Sequence, residues 1–346
     1  MKHFTENFLR DGCLIFTNRV LVDIRPHMGQ TKGMKAVQVI DGSISVNNVS
    51  EPRGEGVTVD VKSVGICGSD LHMIDFGMMS VIPGHEIAGV TRDGTEVAIE
   101  PMLSCGNCKY CLDGEEPYCS DSLPRTFGIG IDGGMAERII VPERFLIPLD
   151  SRVSIRNAFL AEPLAVAVRS LGRVGVTKGD RVCVIGAGTI GLCCVAVAIY
   201  MGATVELESR HSHQLEAGIR LGALEPSDQP AQIVIEAAGT SSALARAVEK
   251  CQKGGVVGIP STYWNPVEIP ALTMGMKEVS LIPSITYGHT TGPRDFDLAM
   301  SVLANSSELG ESLVTHRYPL DGAPEAFDRA RDRHNGVIKV AIDVET

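Results

Sequence analysis

The sequence predicts an α/β protein that combines a β-rich domain with a doubly wound domain built on a parallel sheet. Short β segments punctuated by Gly and Pro extend to about residue 156, and helices then alternate with strands. A glycine-rich turn joins the first of these strands to its helix. Such alternation indicates βαβ units and a parallel sheet. A chain of 346 residues is long enough for two domains with separate cores.

The β-rich domain is predicted from both ends of the chain. Val57–Val64 alternates apolar and polar residues with period two, as a half-buried strand does. The tail after residue 287 contains two helical segments separated by a loop, and then a final strand over 336–344. This tail is too small to fold alone, so we expect residues 34–156 and 288–346 to form one domain.

Residues 157–287 are predicted to form the parallel-sheet domain. A helical segment over 157–168 opens it, and a second helix is predicted over 189–201. The predicted strands are short and apolar, which is typical of a sheet covered on both faces. They are Asp180–Ile185, Thr204–Glu208, Ile233–Glu236 and Gly255–Ile259.

Residues 1–33 stand apart from the two domains. The segment Cys13–Val22 is mildly apolar but lacks the apolar core and cleavage site of a secretory signal. Its pattern is compatible with an arm, an upstream start-site artefact or an added edge strand.

Composition excludes several classes of function. The chain has 42 acidic and 31 basic residues, interspersed, for a formal charge of −11, which argues against a nucleic-acid or anionic-membrane surface. No apolar stretch is long enough to span a bilayer. Ten cysteines without a secretory signal indicate a reducing compartment, so we expect a cytoplasmic protein with free or metal-bound thiols.

Four cysteines form a compact C-x2-C-x2-C-x7-C pattern within a lobe at about residues 103–121. Four thiolates at this spacing can enclose one tetrahedral Zn²⁺, and a closed site without an open position is structural. Two disulfides are the alternative for the same residues, although nothing in the sequence indicates secretion. The four are Cys105, Cys108, Cys111 and Cys119.

The glycine-rich turn matches the dinucleotide pattern G-x-G-x-x-G. It follows an apolar strand and opens an apolar helix, which is the context that supports the motif. Gly186 permits the tight turn, Gly188 lets a pyrophosphate approach the backbone, and Gly191 lets helix and strand pack closely. The helix N-terminus, beginning at Thr189 and Ile190, offers free N–H groups to the phosphates.

The end of the second strand of this domain selects between NAD and NADP. An acidic residue there would bind the ribose 2′-hydroxyl of NAD. The sequence instead places Ser209 and Arg210 at the strand end, and a guanidinium suits a 2′-phosphate. We therefore expect NADP to be favoured. A one-residue shift would put Glu208 at this position and favour NAD.

A second set of metal-ligand residue types is dispersed along the chain. Cys67 follows the alternating strand, His85 and Glu86 lie in a Pro-Gly-His-Glu loop, and Glu162 lies at the domain junction. Cys, His and Glu are all zinc ligands, and a catalytic zinc keeps one position open. The sequence therefore predicts a mixed, open zinc site in addition to the closed lobe.

These motifs, taken in order, resemble the zinc-dependent medium-chain dehydrogenase/reductase family, and in particular its alcohol and polyol dehydrogenases. The resemblance covers Met34 to the C-terminus and rests on the segments G-I-C-G-S-D-L-H, G-H-E, the four-cysteine lobe, E-P and G-A-G-T-I-G. It implies a GroES-like β-rich catalytic domain, an inserted Rossmann domain, and an active site in the cleft between them. It also implies a homo-oligomer, either a dimer or a tetramer.

The resemblance implies roles for individual residues. Cys67 and His85 would bind a catalytic zinc, while Glu86 and Glu162 would be a direct and a near or water-mediated ligand in an order left open. Asp70 would orient a ligand or the relay. The implied reaction is reversible hydride transfer between a small-molecule alcohol and NAD(P), with the hydroxyl proton leaving through Ser69 and His72.

Two other classes of function are compatible with parts of the sequence. The four-cysteine lobe alone is compatible with a zinc-ribbon interaction module. The fold alone is compatible with a non-catalytic cofactor-binding structural protein. The dinucleotide motif argues against the first class, and the presence of Cys67, His85 and Ser69 argues against the second.

Overall fold

The computed structural model describes residues 33–290 and 292–345 of the chain. Residues 1–32 lie outside the described residues, so the three roles considered for the N-terminal extension stay predictions. Gly33, the last residue of that extension, begins the first strand. Within the described ranges, no helix is long and apolar enough to cross a membrane.

Fourteen strands and ten α-helices are formed over the described ranges. The strands are β1 Gly33–Ile40, β2 Ser43–Ser50, β3 Val57–Gly65, β4 Glu86–Thr91, β5 Glu96–Ile99, β6 Arg138–Val141, β7 Leu146–Pro148, β8 Arg181–Ile185, β9 Thr204–Glu208, β10 Ala231–Glu236, β11 Cys251–Ile259, β12 Ser280–Pro283, β13 Val314–Pro319 and β14 Lys339–Asp343. The helices are α1 Gly68–Asp75, α2 Lys109–Leu112, α3 Ala161–Arg173, α4 Thr189–Tyr200, α5 Ser212–Arg220, α6 Ser241–Lys250, α7 Ala271–Lys277, α8 Asp295–Asn305, α9 Glu308–Leu313 and α10 Ala323–Arg331.

The β-rich part is a seven-stranded sheet to which both ends of the chain contribute. Its order is β13-β14-β3-β4-β5-β7, with β6 also paired to β3. The predicted alternation of β3 is present, because Val59 and Val61 are buried while their neighbours are half-buried. The final strand β14 pairs antiparallel with β3, placing Ala341 opposite Gly65.

This pairing brings three strand ends to one point. In the antiparallel β3–β4 pair, Gly65 at the end of β3 lies opposite Glu86 at the start of β4. Lys339 at the start of β14 lies just beyond the same end of β3. The chain leaves β3 at Ile66 and enters α1 at Gly68, so Cys67 lies at this point too.

The second sheet is entirely parallel, in the order β12-β11-β10-β8-β9. The order reverses at β8, since β9 follows on one side and β10 on the other. In open α/β sheets, ligands bind at such a switch point, beyond the carboxyl ends of the strands. Gly186, Ser209 and Ala237 lie beyond the ends of β8, β9 and β10 respectively.

The parallel sheet has one strand fewer than the usual six-stranded dinucleotide-binding order. The place beside β9 is occupied by a single β-bridge between Glu206 and Leu224. From Leu224 the chain reaches β10 at Ala231 without a helix. The predicted fold class, a β-rich domain plus a doubly wound parallel sheet, is confirmed, whereas the exact domain boundaries stay a prediction.

The predicted elements of the parallel sheet match the structure closely. The strand predicted over 204–208 is β9, and the helix predicted over 189–201 is α4, one residue shorter. The prediction of a loop between the two C-terminal helices is wrong, because this segment forms α9 and β13. The residues of β13 are half-buried or exposed at the sheet edge, so they carry no alternating apolar signal.

The packing of α4 on β8 generates a prediction about Gly191. A Cβ at residue 191 would lie 1.8 Å from the carbonyl oxygen of Gly186, so Gly191→Ala forces the backbone to move. Overpacking of this kind costs about 1–3 kcal/mol, which exceeds the gain of up to about 1 kcal/mol in helix propensity. We expect a lower melting temperature by circular dichroism.

Gly188→Ala is the matched control for this substitution. No atom lies within 4 Å of a Cβ at residue 188, and its φ of −72° suits an L-residue. The control should unfold at nearly the wild-type temperature. Equal melting temperatures for the two variants would contradict the packing argument.

Candidate functional site

Cys67, His85 and Glu86 form one compact group at the point where the three strand ends meet. The Cys sulfur, a His ring nitrogen and a Glu oxygen all lie within 4.8 Å of one another. His85 and Glu86 are buried, and Cys67 is half-buried. Gly65 makes room for this approach, because a Cβ there would lie 1.9 Å from Oε2 of Glu86.

Asp70 holds the group from the first turn of α1. Its Oδ2 accepts a hydrogen bond of 2.9 Å from the backbone N–H of Cys67, as in the reciprocal capping of helix starts. Its Oδ1 lies 3.4 Å from Nδ1 of His85. The other ring nitrogen, Nε2, lies 3.3 Å from Oγ of Ser69. The buried carboxylate therefore contacts both the backbone of Cys67 and the imidazole of His85, as partners of metal ligands do.

The local field favours a cation between these side chains. Burial alone would lower the pKa of His85, but the carboxylate of Asp70 and the thiolate of Cys67 outweigh it and raise the pKa well above its usual value. Within the described residues, Oδ1 of Asp70 and Nδ1 of His85 are buried without a well-formed hydrogen bond. Sulfur, nitrogen and oxygen donors in one buried group fit a Zn²⁺ ion with an open position.

Glu86 shares its carboxylate with a buried lysine that the sequence analysis did not identify. Nζ of Lys339 donates to both Glu86 oxygens, at 2.6 and 2.8 Å, and to the carbonyl of Ile66 at 3.0 Å. Burial would lower the pKa of Lys339, but Glu86 and Cys67 raise it, so the lysine stays charged. A lone lysine inside the apolar strand predicted over 336–344 was the available signal for a buried counter-ion.

Glu162, the fourth predicted ligand, lies outside the compact group but close enough for the charges of His85 and Glu86 to affect its pKa. It is buried in the first turn of α3 and accepts a hydrogen bond from Tyr287. Burial raises its pKa to about 7, with a contribution from Glu86, while His85 and Lys339 act in the opposite direction. Tyr287, which the sequence analysis also missed, is itself buried beside this carboxylate.

Ser69 and His72, the predicted relay, lie one turn apart on α1 and hence on the same side of the helix. The imidazole of His72 stacks on the indole of Trp264, with ring centroids 5.1 Å apart and planes at 24°. Burial, followed by the charge of Arg333, lowers the pKa of His72. The only tryptophan in the chain thus packs against the relay histidine.

The four cysteines of the lobe converge as their spacing predicts. Their sulfurs all lie within 4.8 Å of one another, with Cys111 at 3.8 Å from Cys105 and 3.5 Å from Cys108. A tetrahedral Zn²⁺ with bonds of about 2.3 Å holds its sulfurs about 3.8 Å apart. All nine described cysteines are free of disulfides, which argues against the alternative of two disulfides in the lobe.

Backbone N–H groups favour the thiolate form of Cys105 and Cys119, whereas burial raises the pKa of Cys111 to about 12. Cys105 accepts from the N–H of Cys108 at 3.3 Å and from that of Asn107 at 3.5 Å. Burial would raise the pKa of Cys119, but N–H groups of Cys105 and Asp121 lower it to about 6. Thiolates are the form in which cysteine binds zinc, so the lobe fits a closed structural site.

A cleft of about 490 Å³ connects the mixed donor group to the glycine-rich turn. Cys67 and Glu86 line one part of it, and Gly186, Gly188, Thr189 and Ile190 line another. Gly191 instead packs behind the turn against Gly186. The donor group and the dinucleotide motif, predicted from segments about 120 residues apart, therefore share one cavity.

The strand end that is predicted to select the cofactor also lies in this cleft. β9 ends at Glu208, so Ser209 and Arg210 are the first residues beyond it, and all three line the cavity. The carboxylate of Glu208 accepts two hydrogen bonds of 2.9 Å from Arg246 and lies 3.9 Å from Nζ of Lys250. Oγ of Ser209 donates to the carbonyl of His211 at 3.0 Å.

Comparison with known proteins extends these observations. Residues 53–151 match the alcohol dehydrogenase GroES-like domain. L-arabinitol 4-dehydrogenase of Aureobasidium melanogenum is 32% identical over 330 residues, which cover 83% of this chain and 86% of that protein. L-idonate 5-dehydrogenase (NAD(P)(+)) of Escherichia coli is 28% identical over 87% of this chain and 94% of its own length.

Comparison with solved structures points to the same class of enzyme. A zinc-binding dehydrogenase of Sinorhizobium meliloti bound to NADP superposes with a TM-score of 0.78 at 27% identity, covering 90% of this chain and 99% of that one. The similarity spans both sheets, so neither a zinc-ribbon module nor a structural protein accounts for the chain as well as an oxidoreductase does. The chain therefore belongs to the zinc-type medium-chain alcohol and polyol dehydrogenases.

Proposed function

We propose that the protein oxidises a secondary hydroxyl of a polyol or sugar-derived alcohol, reversibly and with NADP favoured, at the Cys67–His85–Glu86 group. One observation carries this proposal: the donor group and the glycine-rich turn line the same cleft. The named relatives act on polyols or sugar acids, which supports this substrate class. A panel of polyols, sugars and simple alcohols, tested with both cofactors before and after zinc removal, tests it.

The chain's residues would act as follows. Bound at the donor group, Zn²⁺ would supply Lewis-acid catalysis and lower the pKa of the alcohol. Cys67 and His85 would hold it, with Asp70 contacting the backbone of Cys67 and the ring of His85. Glu86 belongs to the compact group whereas Glu162 does not, so we assign Glu86 as the direct carboxylate ligand in this conformation and Glu162 as the near or water-mediated one.

The relay residues move the hydroxyl proton to solvent. Ser69 lies beside the donor group, so its hydroxyl would take the proton of the alcohol while giving up its own. His72, whose half-buried ring has access to solvent, would receive that proton after the ribose of a bound cofactor. The lowered pKa of His72 keeps the ring neutral, and able to accept, down to a lower pH than usual.

NADP preference follows from how the charges at the end of β9 are used. Glu208 is the only carboxylate among the three residues that line the cleft there, and Arg246 and Lys250 hold it. These two cations offset its negative charge, so Glu208 repels a 2′-phosphate less than a free carboxylate would. Arg210 is exposed and offers a planar set of donors to a 2′-phosphate.

We also propose a homo-oligomer in the cytoplasm. β12 ends the parallel sheet, so its outer edge is open to pairing with a second copy in the described part of the chain. Apolar side chains are exposed nearby in sequence, notably Leu272 at 81% and Met276 at 74%. The free thiols support a reducing compartment.

Two zinc ions per chain are expected, with different consequences on removal. Cys108→Ser should lower the melting temperature, because structural zinc contributes to folding free energy. Cys67→Ser should leave the fold nearly intact and abolish turnover. Elemental analysis, circular dichroism and activity are measured on both variants, which serve as controls for each other. Active, fully loaded protein with one zinc or fewer would contradict the assignment.

His72→Ala should slow alcohol oxidation without large loss of cofactor affinity. General acid–base groups contribute roughly 10²–10⁴-fold, and a relay open to solvent should lie at or below the low end. The wild-type rate should fall as the pH drops through the lowered pKa of His72, because the protonated ring cannot accept a proton. His316→Ala, in β13, is the control. A variant that keeps the wild-type pH–rate profile would remove His72 from the mechanism.

Ser209→Asp combined with Arg210→Ile should reverse the cofactor preference. The change supplies a carboxylate for the 2′-hydroxyl and removes the donors for the phosphate. Hydrogen bonds to charged groups are worth about 1.5–3 kcal/mol, or roughly ten- to a hundredfold in kcat/KM ratio. Zinc content should be unchanged. A wild-type enzyme that prefers NAD would show that Glu208 is available despite its pairing.

A further inference from the structure

A cluster of two arginines and two histidines spans the cleft near the end of β9. Arg210 and His211 lie between β9 and α5, on the parallel-sheet side. Arg333 and His334 lie in the turn between α10 and β14, on the antiparallel-sheet side. The rings of His211 and His334 meet edge to face, with centroids 5.1 Å apart and planes at 85°. Arg210, His211 and Arg333 line the cleft, whereas His334 is exposed and joins this cluster through its contact with His211.

This cluster has no counter-charge within the described ranges. None of its four side chains has a carboxylate at ion-pair distance there, although the chain as a whole carries a charge of −11. Glu208, the nearest acid along the chain, is held by Arg246. Asp332, beside Arg333, pairs with Arg329 at 3.5 Å.

The surroundings of His211 reinforce this imbalance. The ring of His213 stacks on that of His211, with centroids 5.6 Å apart, and its Nε2 is buried without a hydrogen-bond partner. Burial lowers the pKa of His211, and His334, His213 and Arg210 lower it further. Each of these neighbours is cationic or can become so, and an anion would relieve their mutual repulsion.

We propose that His334, together with Arg210 and His211, binds the 2′-phosphate of NADP, so that this group is held from both walls of the cleft. The inference rests on the proposed NADP preference and extends it to a residue outside the parallel-sheet domain. The phosphate is a dianion with three acceptor oxygens, which matches three separate donors. NAD has no group at this position and would leave the cluster uncompensated.

The inference has a consequence for pH dependence. Binding of the anion favours the protonated imidazoles, so the folded-state pKa of His211 rises on binding. Affinity for the 2′-phosphate should then be greatest at low pH and fall as the pH rises through the pKa of the bound state. Above pH 6.5 the phosphate itself stays largely dianionic, since its second pKa is about 6. A loss of affinity between pH 6.5 and 8 therefore does not come from a loss of charge on the phosphate.

The test uses fragments that differ only in the phosphate of interest. Binding of adenosine 2′,5′-bisphosphate and of 5′-AMP to the full chain is measured by calorimetry at pH 6.5, 7.2 and 8. Wild-type protein should favour the bisphosphate, less so as the pH rises. His334→Asn should weaken bisphosphate binding about three- to tenfold at pH 6.5, as exposed charge-assisted contacts do, and leave 5′-AMP unchanged.

Two further variants separate the possible outcomes. His334→Lys keeps a positive charge at every pH, so it should retain affinity and flatten the pH dependence, whereas His316→Asn should behave as wild type. Equal binding of the two nucleotides by wild-type protein would overturn the NADP preference and the inference together. Preference for the bisphosphate that His334→Asn leaves intact would overturn the two-wall site alone. Inorganic phosphate competing equally against both nucleotides would place the anion elsewhere.

Discussion

The buried ion pair between Lys339 and Glu86 is the contact on which the organisation of the site depends. Cys67, Asp70, Glu86 and Glu162 concentrate negative charge where little water reaches, and Lys339 is the buried cation that contacts it directly. Removing one partner of a buried pair costs about 3–5 kcal/mol, a large part of a typical stability of 5–15 kcal/mol. Burial raises the pKa of Glu162 in the same region to about 7, with a contribution from the charge of Glu86.

That ion pair also explains why the chain must return to its first sheet. Lys339 can reach Glu86 only because β14 pairs with β3, which in turn holds Gly65 opposite Glu86. The mixed donor group therefore depends on contacts between residues more than 250 positions apart. The four-cysteine lobe differs, because its ligands lie within 15 residues and need only local turns. One protein thus combines a locally encoded group of metal-ligand residues with a second group that requires the completed fold.

The separation along the chain of the residues that form a site also determines whether the sequence predicts that site. The lobe, the glycine-rich turn and the grouping of Cys67 with His85 were predictable, because ligand chemistry and spacing are written in short motifs. Lys339 and Tyr287 were not, since only antiparallel pairing and chain return bring them to the site. The ion pair between Arg246 and Glu208 was equally unpredictable. Arg246 lies on α6, a helix that was not predicted from the sequence. The two edge features, β13 and the reduced strand at Leu224, have too little burial to leave a periodic pattern.

Because Trp264 stacks on His72, tryptophan fluorescence reports on the surroundings of that histidine. The indole is the only one in the chain, so tryptophan emission comes from a single, known position. Protonation of His72 converts the stacked pair into a cation–π contact, which alters the surroundings of the indole without any change of fold. Phe76, the residue that follows α1, also stacks on Trp264, with ring centroids 5.9 Å apart. The protein therefore carries an intrinsic fluorophore next to His72, the residue proposed to transfer the proton.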